Sequence, residues 1–350
     1  MIAAIAFCSS IYIAAIPSIF AHEYDCSTIV ATLGITTFLL GFVLGPLSFA
    51  PLSSVRGRDM IFRLVLGLFV VFQTGCALAP NIASMIVFRF FSGFFGSPTV
   101  TNSGGSITDL WPQDNRSVPL ALFSAASFLG PVIAPTVGGF ICQYTLWRWD
   151  FWLVLILSSL CYIGMVIFLP ETYSPNLLLD KQRRMPGYSP TNQPPVKELL
   201  YVSLTRPWQM LFIEPNLFLL SLYMALVYGI LYLDFTAYPV VFRETRGWSA
   251  SIAGPSFLGI CVGMAVATLV SPYINHIHIT SYLTDCYGAF GASALTANAV
   301  LCSLFGAVFP LLSTDLYHTL SVSWTTSLLG FVALIRARSK CHLKARKYDG

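Results

Sequence analysis

The chain is 350 residues long, 56% hydrophobic and only 10% charged, with a formal net charge of +4 and a mean hydropathy of +0.73. Soluble domains carry roughly 25% charged residues, so this composition excludes a water-soluble enzyme and predicts an integral membrane protein. No basic run interleaves with aromatics, which removes nucleic acid as a partner; the nine cysteines form no CxxC pair and no Cys/His cluster, so neither a metal nor another cofactor is expected.

Ten stretches approach the ~20 apolar residues that a bilayer-crossing helix needs: 1–20, 27–49, 61–79, 82–107, 118–142, 151–169, 213–235, 249–271, 287–312 and 318–335. They are continuous rather than alternating, which predicts helices and not a barrel. Met1–Phe20 has no positive n-region, and Ile19-Phe20-Ala21 is a poor cleavage site, so a retained first span is expected there. In the fifth span, residues 130–139 read GPVIAPTVGG. Pro131 and Pro135 each remove a helix donor, a defect that membrane helices tolerate because packed neighbours satisfy the freed carbonyls. Gly130, Gly138 and Gly139 present a bare face on which another helix backbone can come close. Six spans precede the polar, Pro-rich segment Pro170–Pro207, expected to be a linker, and four follow it.

With the N-terminus in the cytoplasm, Arg56, Arg58, Arg63, Arg116, Lys181, Arg183, Arg184, Lys197, Arg206 and six basic residues from Arg336 onward fall inside, and only Arg148, Arg243 and Arg246 fall outside. Fifteen against three predicts that orientation by the positive-inside rule, and an even number of spans returns the C-terminus to the cytoplasm.

Arg89 lies within the fourth span, where a charged side chain costs ~2.5–3.5 kcal/mol at mid-helix on insertion scales and faces a polar cavity or a partner. It either couples protons or contacts substrate, or it snorkels from a point about two turns inside the outer end near Ile82. Asp234 is the best acid within a span. It follows Tyr228 and Tyr232, which lie four apart on one helix face and suit an aromatic-lined binding wall or, equally, an interfacial belt. Asn102 and Asn298 need partners in lipid, and interhelical hydrogen bonds are their expected use. Trp147, Trp149 and Trp152 are expected in the outer aromatic belt, with Arg148 and Asp150 an interfacial pair. No GxxxxGK[ST], HExxH or GxSxG occurs and the five histidines are dispersed, so no enzyme activity is expected.

Several of these segments, in this order, resemble the fungal drug:proton antiporter branch of the major facilitator superfamily. GPVIAPTVGG resembles its antiporter motif, with Ala134 where the branch has Gly, and Arg89–Trp111 is similar to its Arg-x-x-x-Gly segment. WRWDFW at 147–152, PET at 170–172, Glu214–Leu233, AYPVVF at 237–242 and RGW at 246–248 also look like this branch. The loop APLSSVRGRDMIF, Ala50–Phe62, resembles the family's cytoplasmic-gate signature in weakened form: Gly57 and Arg58 match, Ala50 and Ser54 replace a Gly and an acid, and Asp59 replaces a basic residue. The family has twelve spans, and Tyr282–Leu312 resembles the eleventh directly after the eighth. Counterparts of the ninth and tenth are therefore missing, through an internal deletion or through skipped coding sequence.

The resemblance implies an all-α polytopic membrane protein of the major facilitator fold. Residues 1–169 would form an N-terminal six-helix bundle, 170–212 a cytoplasmic central linker, 213–335 an incomplete C-terminal bundle and 336–350 a basic cytoplasmic tail. It implies a monomer in the cell membrane that exports a small organic compound, a drug, toxin or fungal secondary metabolite, in exchange for protons. Arg89, Asp234, Tyr228, Tyr232, Asn102 and Asn298 are then the candidates for proton coupling or substrate contact, and Gly57, Arg58 and Asp59 form the gate loop. Gly130, Pro131, Ala134, Pro135, Gly138 and Gly139 form the antiporter motif, expected to pack on the eighth span, where Gly259 and Gly263 offer a matching small face. The alternative expectation is a truncated, transport-inactive relic or the mis-spliced product of such an exporter gene.

Overall fold

The computed structural model describes residues 1–19, 23–24, 26–56, 58–111, 117–168, 196–270, 283, 286–287 and 291–345. Among them are helices and turns but no strand. The N-terminal part comprises α1 (Ile2–Ser18), α2 (Thr28–Arg56), α3 (Arg58–Ala77), α4 (Ile82–Leu110), α5 (Ser117–Tyr144) and α6 (Arg148–Phe168). Then come α7 (Val196–Ile213), α8 (Pro215–Tyr238), a π-helical turn at Pro239–Thr245, α9 (Leu258–Val270) and α10 (Gly291–Ala345). Among the described residues six helices are long and apolar enough to cross a bilayer, with shorter apolar helices at Ile2–Pro17 and Gly254–Gly263. The expected linker lies outside the described residues from 169 to 195; its last part is helical, because α7 begins at Val196 and packs on α2 and α10.

Local chemistry accounts for several helix ends. Asn81 caps α4 by accepting from the Ser84 N–H at 2.8 Å, while its own N–H donates to Ser84 Oγ. Pro239 has no N–H for the carbonyl four residues back, and the α8 backbone widens there into the π-helical turn. The turn closes at Gly247, whose φ of +68° suits a residue without Cβ.

In the first bundle α1 packs on α5 and touches α2 and α6, α2 packs on α4, and α3 lies against α4 and α6. α2 and α4 approach closely because Gly41, Gly45 and Gly93 face the partner backbone. A Cβ on Gly93 would collide with the Phe38 carbonyl, and one on Gly41 would come within 2.5 Å of the Phe94 N. In the second bundle α8 packs on α10. The bundles meet where α2 touches α10 and where α5 meets α9 and the turns before it. One apolar cluster crosses this seam, from Tyr12, Ile35 and Phe151 to Tyr232, Phe235 and Ala307.

Two boundaries differ from expectation. The eighth stretch, 249–271, is divided into a helical turn at Ala250–Ala253, a 3-10 turn at Gly254–Phe257 and α9, the break falling where Pro255 removes a backbone donor. The stretches 287–312 and 318–335 do not turn back on each other but form one 55-residue helix, about 80 Å long at 1.5 Å per residue. The polar run around Ser313 reads as a loop, yet Ser313 donates to the Pro310 carbonyl and Thr319 to that of Asp315. These hydroxyls are satisfied within the helix, and the run from 313 to 319 holds no Gly or Asn to end it.

Candidate functional site

Arg89 is fully buried, so it does not snorkel. Its Nη1 donates to the Cys8 carbonyl at 2.9 Å and reaches Cys8 Sγ at 3.5 Å, Nη2 donates to the Ser9 carbonyl and Nε to that of Gly34, both at 3.2 Å. The guanidinium also lies over the rings of Phe38 and Tyr12, with centroids at 4.5 and 4.8 Å. Carbonyl dipoles and aromatic faces therefore carry this charge, and Arg89 ties α4 to α1 and α2. Beside it, Gln73 on α3 accepts from the Cys8 thiol, while its buried Nε2 has no partner among the described residues.

The Ser9 hydroxyl donates to the Ala6 carbonyl at 2.6 Å, which spends its one proton. The Tyr232 hydroxyl, 2.7 Å away, is therefore the donor to Ser9, and Tyr228 in turn donates to Tyr232 at 3.4 Å. The two tyrosines thus do not sit in an outer belt. They join α8 to the Ser9 peptide that Arg89 holds, across the seam between bundles. Hydrogen bonds from Thr36 to the Ala307 carbonyl at 3.0 Å and from Thr136 to the Gly254 carbonyl at 2.9 Å also cross it.

Asp234 is not part of this cluster. It is half-buried on another face of α8, within electrostatic reach of Tyr238 and of Tyr317 on α10, and makes no hydrogen bond with a described residue. Asn298 accepts only a weak contact from Cys302 on its own helix, at 3.9 Å. Asn102 lies on α4 with its side chain outside the described residues. So do Gly57 and the Arg58 side chain; Asp59, in the first turn of α3, accepts from Arg63 Nε at 2.8 Å.

The glycines of α5 face a different partner from the one expected. A Cβ on Gly130 would lie 2.6 Å from the Ala3 carbonyl, and one on Gly138 would lie 2.8 Å from Ala14 Cβ, so both serve packing on α1. Gly259 and Gly263 have nothing within 4 Å of such a Cβ. α5 does meet the eighth stretch, but through Thr136, whose Cα would lie 3.1 Å from a Cβ on Gly254. Pro135 cannot supply an N–H to the Pro131 carbonyl, and the Ser10 hydroxyl of α1 fills that place at 2.7 Å.

Arg148 and Asp150 do not pair. Arg148 binds Glu23 at 2.6 Å and the carbonyls of Ala77 and Ala79, which ties together the three turns at this end of the first bundle. Trp147 donates to the same carboxylate, is 5% exposed and packs on Tyr24 and Phe151, so it is a core residue and not a belt residue. Partial burial pushes the Glu23 carboxyl up, but the hydrogen bonds from Arg148 and Trp147 and the charge of Arg148 outweigh it and hold the group below its ordinary value. Asp150 is fully buried: Oδ2 accepts from the Cys142 thiol at 3.1 Å and Oδ1 has no partner among the described residues. A helix N-terminus offers an acid ~0.3–1 kcal/mol, up to ~2 when partly buried, whereas burying an ion costs several kcal/mol.

The family model described as Major Facilitator Superfamily matches residues 1–337. The chain belongs to this superfamily. Its similar relatives among superfamily transporters include the citrinin biosynthesis cluster MFS transporter mrr1 of Monascus ruber, 35% identical over 94% of this chain and 81% of the relative. Others are the multidrug transporter mdrA of Aspergillus fumigatus (36%, covering 95% and 67%) and the efflux pump FUB11 of Gibberella moniliformis (32%, covering 94% and 68%). The human organic anion transporter MFSD10 shares the fold, with a TM-score of 0.61 at 16% identity over 95% of this chain and 96% of that one. The xylose transporter XylE from E. coli gives 0.57 at 15% identity, covering 95% and 89%. The alignment to mrr1 runs over 406 positions, although 94% of 350 residues is only about 329, so this superfamily member lacks about 75 positions of that relative. That is room for two ~20-residue spans and their loops.

As a superfamily member the protein is a multi-pass membrane transporter of the efflux type; Tyr228 and Tyr232 reach across the bundle seam to Ser9, whose peptide Arg89 holds within the first bundle. Ser9, Ser10, Gly34 and Glu23 carry no sequence signal that marks them for these contacts. Gly41 and Gly45 do carry a local signal, the GxxxG spacing.

Proposed function

We propose that this protein exports a small organic compound from the cytoplasm in exchange for protons, as a monomer with a cytoplasmic N-terminus. Bundles over 1–169 and 213–335 would rock about the seam. The observation that carries this reading is the hydrogen-bond chain from Tyr228 through Tyr232 to Ser9, whose peptide Arg89 holds. The relatives named as efflux pumps and as a multidrug transporter support the direction and the substrate class.

Opening the seam breaks the bonds of Tyr232, Thr36 and Thr136. At ~0.6 kcal/mol for an average interhelical hydrogen bond, that amounts to about 2 kcal/mol. One proton crossing ~100 mV supplies about 2.3 kcal/mol, the scale of these three hydrogen bonds, to which the apolar contacts of the seam add. A substrate whose polar group displaces Ser9 from Tyr232 lowers that cost further. In this reading Arg89 is a positioning residue for the Ser9 peptide, Tyr228 and Tyr232 contact substrate, and Asp234 is a candidate proton site.

The test is transport of the fluorescent cation rhodamine 6G by the full chain reconstituted in sealed vesicles, with and without an imposed pH gradient. Gradient-driven movement of the dye is expected; movement that ignores the gradient refutes proton coupling. Folded, monodisperse protein that moves neither dye nor protons under either condition refutes the exporter reading in favour of a transport-inactive chain.

A further inference from the structure

We propose that the cavity at the end of the bundle seam where α1, α5 and α8 finish is a carboxylate site, built by Arg243 and Tyr238. That the carboxylate belongs to the exported compound rests on the exporter reading above, in whose orientation this is the outer end, where such a compound leaves.

The cavity measures about 30 Å³. One water needs roughly 10–15 Å³ by this measure, so the room is that of one or two waters, or of the two oxygens of a carboxylate. Ile13 of α1 with Pro135 and Gly139 of α5 wall it from the first bundle, and Tyr238, Arg243 and Ala253 line it from the second. Among the described residues that line it, only Tyr238 and Arg243 carry polar side chains, and none is an acid.

These two side chains are not committed elsewhere among the described residues. At this end of the molecule Arg148 binds Glu23 and backbone carbonyls, and Arg246 lies over the rings of Phe242 and Trp248. Arg243, half-buried, makes no hydrogen bond, ion pair or ring contact with a described residue. The Tyr238 ring is stacked on Phe257 at 4.4 Å, which fixes it, while its hydroxyl has no hydrogen bond with a described residue.

The lining therefore offers a positive charge, an O–H donor and apolar walls, with no acid to answer the charge. A cation finds no counter-charge here, whereas a guanidinium partly out of water gains from an anion. Its fork of parallel N–H groups matches the two oxygens of a carboxylate, a match that a spherical halide cannot use. Apolar walls around a few donors suit an organic acid. Asp234 lies within electrostatic reach of Tyr238 but is not among the lining residues. Arg243 and the Pro135–Gly139 wall belong to different bundles, so parting of the bundles at this end removes one wall and frees the anion.

The test is binding of trifluoroacetate to the full chain in detergent, followed by the broadening of its ¹⁹F resonance. Saturable broadening is expected, reversed by acetate but not by acetamide, its neutral isostere. Arg243→Gln should weaken binding about tenfold or more through loss of a charged bidentate contact, and Tyr238→Phe about threefold through loss of a neutral one. Ala253→Leu fills the cavity and leaves both donors in place, so it should also abolish binding, and it covers the case in which Arg243→Gln fails to fold. No saturable broadening, equal displacement by acetamide, or unchanged binding in Arg243→Gln or Ala253→Leu overturns the site. Displacement by chloride at the concentrations at which acetate acts overturns its assignment to a carboxylate. The impermeant dye carboxyfluorescein tests the source of the carboxylate: its gradient-driven movement is expected, slowed in Arg243→Gln. Vesicles that move rhodamine 6G but not carboxyfluorescein overturn the link to the exported compound. Bound trifluoroacetate without movement of either dye overturns the exporter reading alone, and dye movement without bound trifluoroacetate overturns this proposal alone.

Discussion

Ser10→Ala tests whether a hydroxyl on α1 takes the place of the donor that Pro135 lacks. In the wild type the Pro131 carbonyl accepts from Ser10 Oγ at 2.7 Å, and Ser10 is fully buried. Removing the hydroxyl leaves a buried carbonyl with no partner, which costs about 1–3 kcal/mol, more than the ~0.6 kcal/mol of an average interhelical hydrogen bond. Pro135→Ala restores a backbone N–H four residues after Pro131, so in that background the loss of Ser10 strands nothing. The two substitutions are therefore expected to couple by about 1–2 kcal/mol. Equilibrium unfolding of the four proteins in mixed micelles measures the cycle. Additivity to within ~0.5 kcal/mol refutes the argument that α1 completes the hydrogen bonding of a proline-bent α5.

Gly93→Val would drive a Cβ into the Phe38 carbonyl, and backbone cannot retreat unless α2 and α4 part, so a loss of about 1–3 kcal/mol or more is expected. Gly259→Val, with nothing within 4 Å, should leave unfolding unchanged, and equal effects at the two sites would show that close packing is not what distinguishes them. Glu23 is held below its ordinary value when folded, so its clamp on Arg148 stabilises above the unfolded value of about pH 4.3 and is lost as pH falls through the lowered folded value. With the Glu23 side chain 38% exposed, that contribution is below ~1 kcal/mol; Glu23→Gln should lose it at neutral pH and flatten the acid limb of the stability profile, and an unaltered limb would refute the assignment. Tyr232→Phe keeps the ring but deletes one cross-seam bond, and ~0.6 kcal/mol corresponds to about a threefold shift toward separated bundles in spin-label distance distributions; an unshifted distribution would mean the bond does not hold the seam. Because α10 does not turn back, Cys341 is expected on the face of the membrane opposite Gly291, and an impermeant maleimide that reached Cys341 and a cysteine placed at Gly291 from the same side of sealed vesicles would refute the unbroken helix.

Much of this protein was determined by its sequence alone. Apolar runs of bilayer length, broken by Gly and Pro, define the membrane class, the order of the helices and most of their ends, because hydropathy and the loss of a proline donor act within a few residues. The GPVIAPTVGG segment was legible in the same way as a bent helix with a bare face, and the tyrosine pair was legible as belonging to one face of α8. The choice of partner was decided only by the tertiary structure. Gly130 and Gly138 fit α1 and not the eighth stretch, because the close approach depends on which backbone is opposite, and no local pattern encodes that. Arg89 has its charge accommodated by the Cys8, Ser9 and Gly34 carbonyls, acceptors that every residue possesses and that no residue type announces. Arg148 and Asp150, two residues apart, look like a pair in the sequence, but the helix start turns one toward Glu23 and the other toward Cys142. The common reason is that helix formation is a matter of neighbours in the chain, whereas the satisfaction of a buried charge or carbonyl in a membrane depends on groups brought together only when the helices pack.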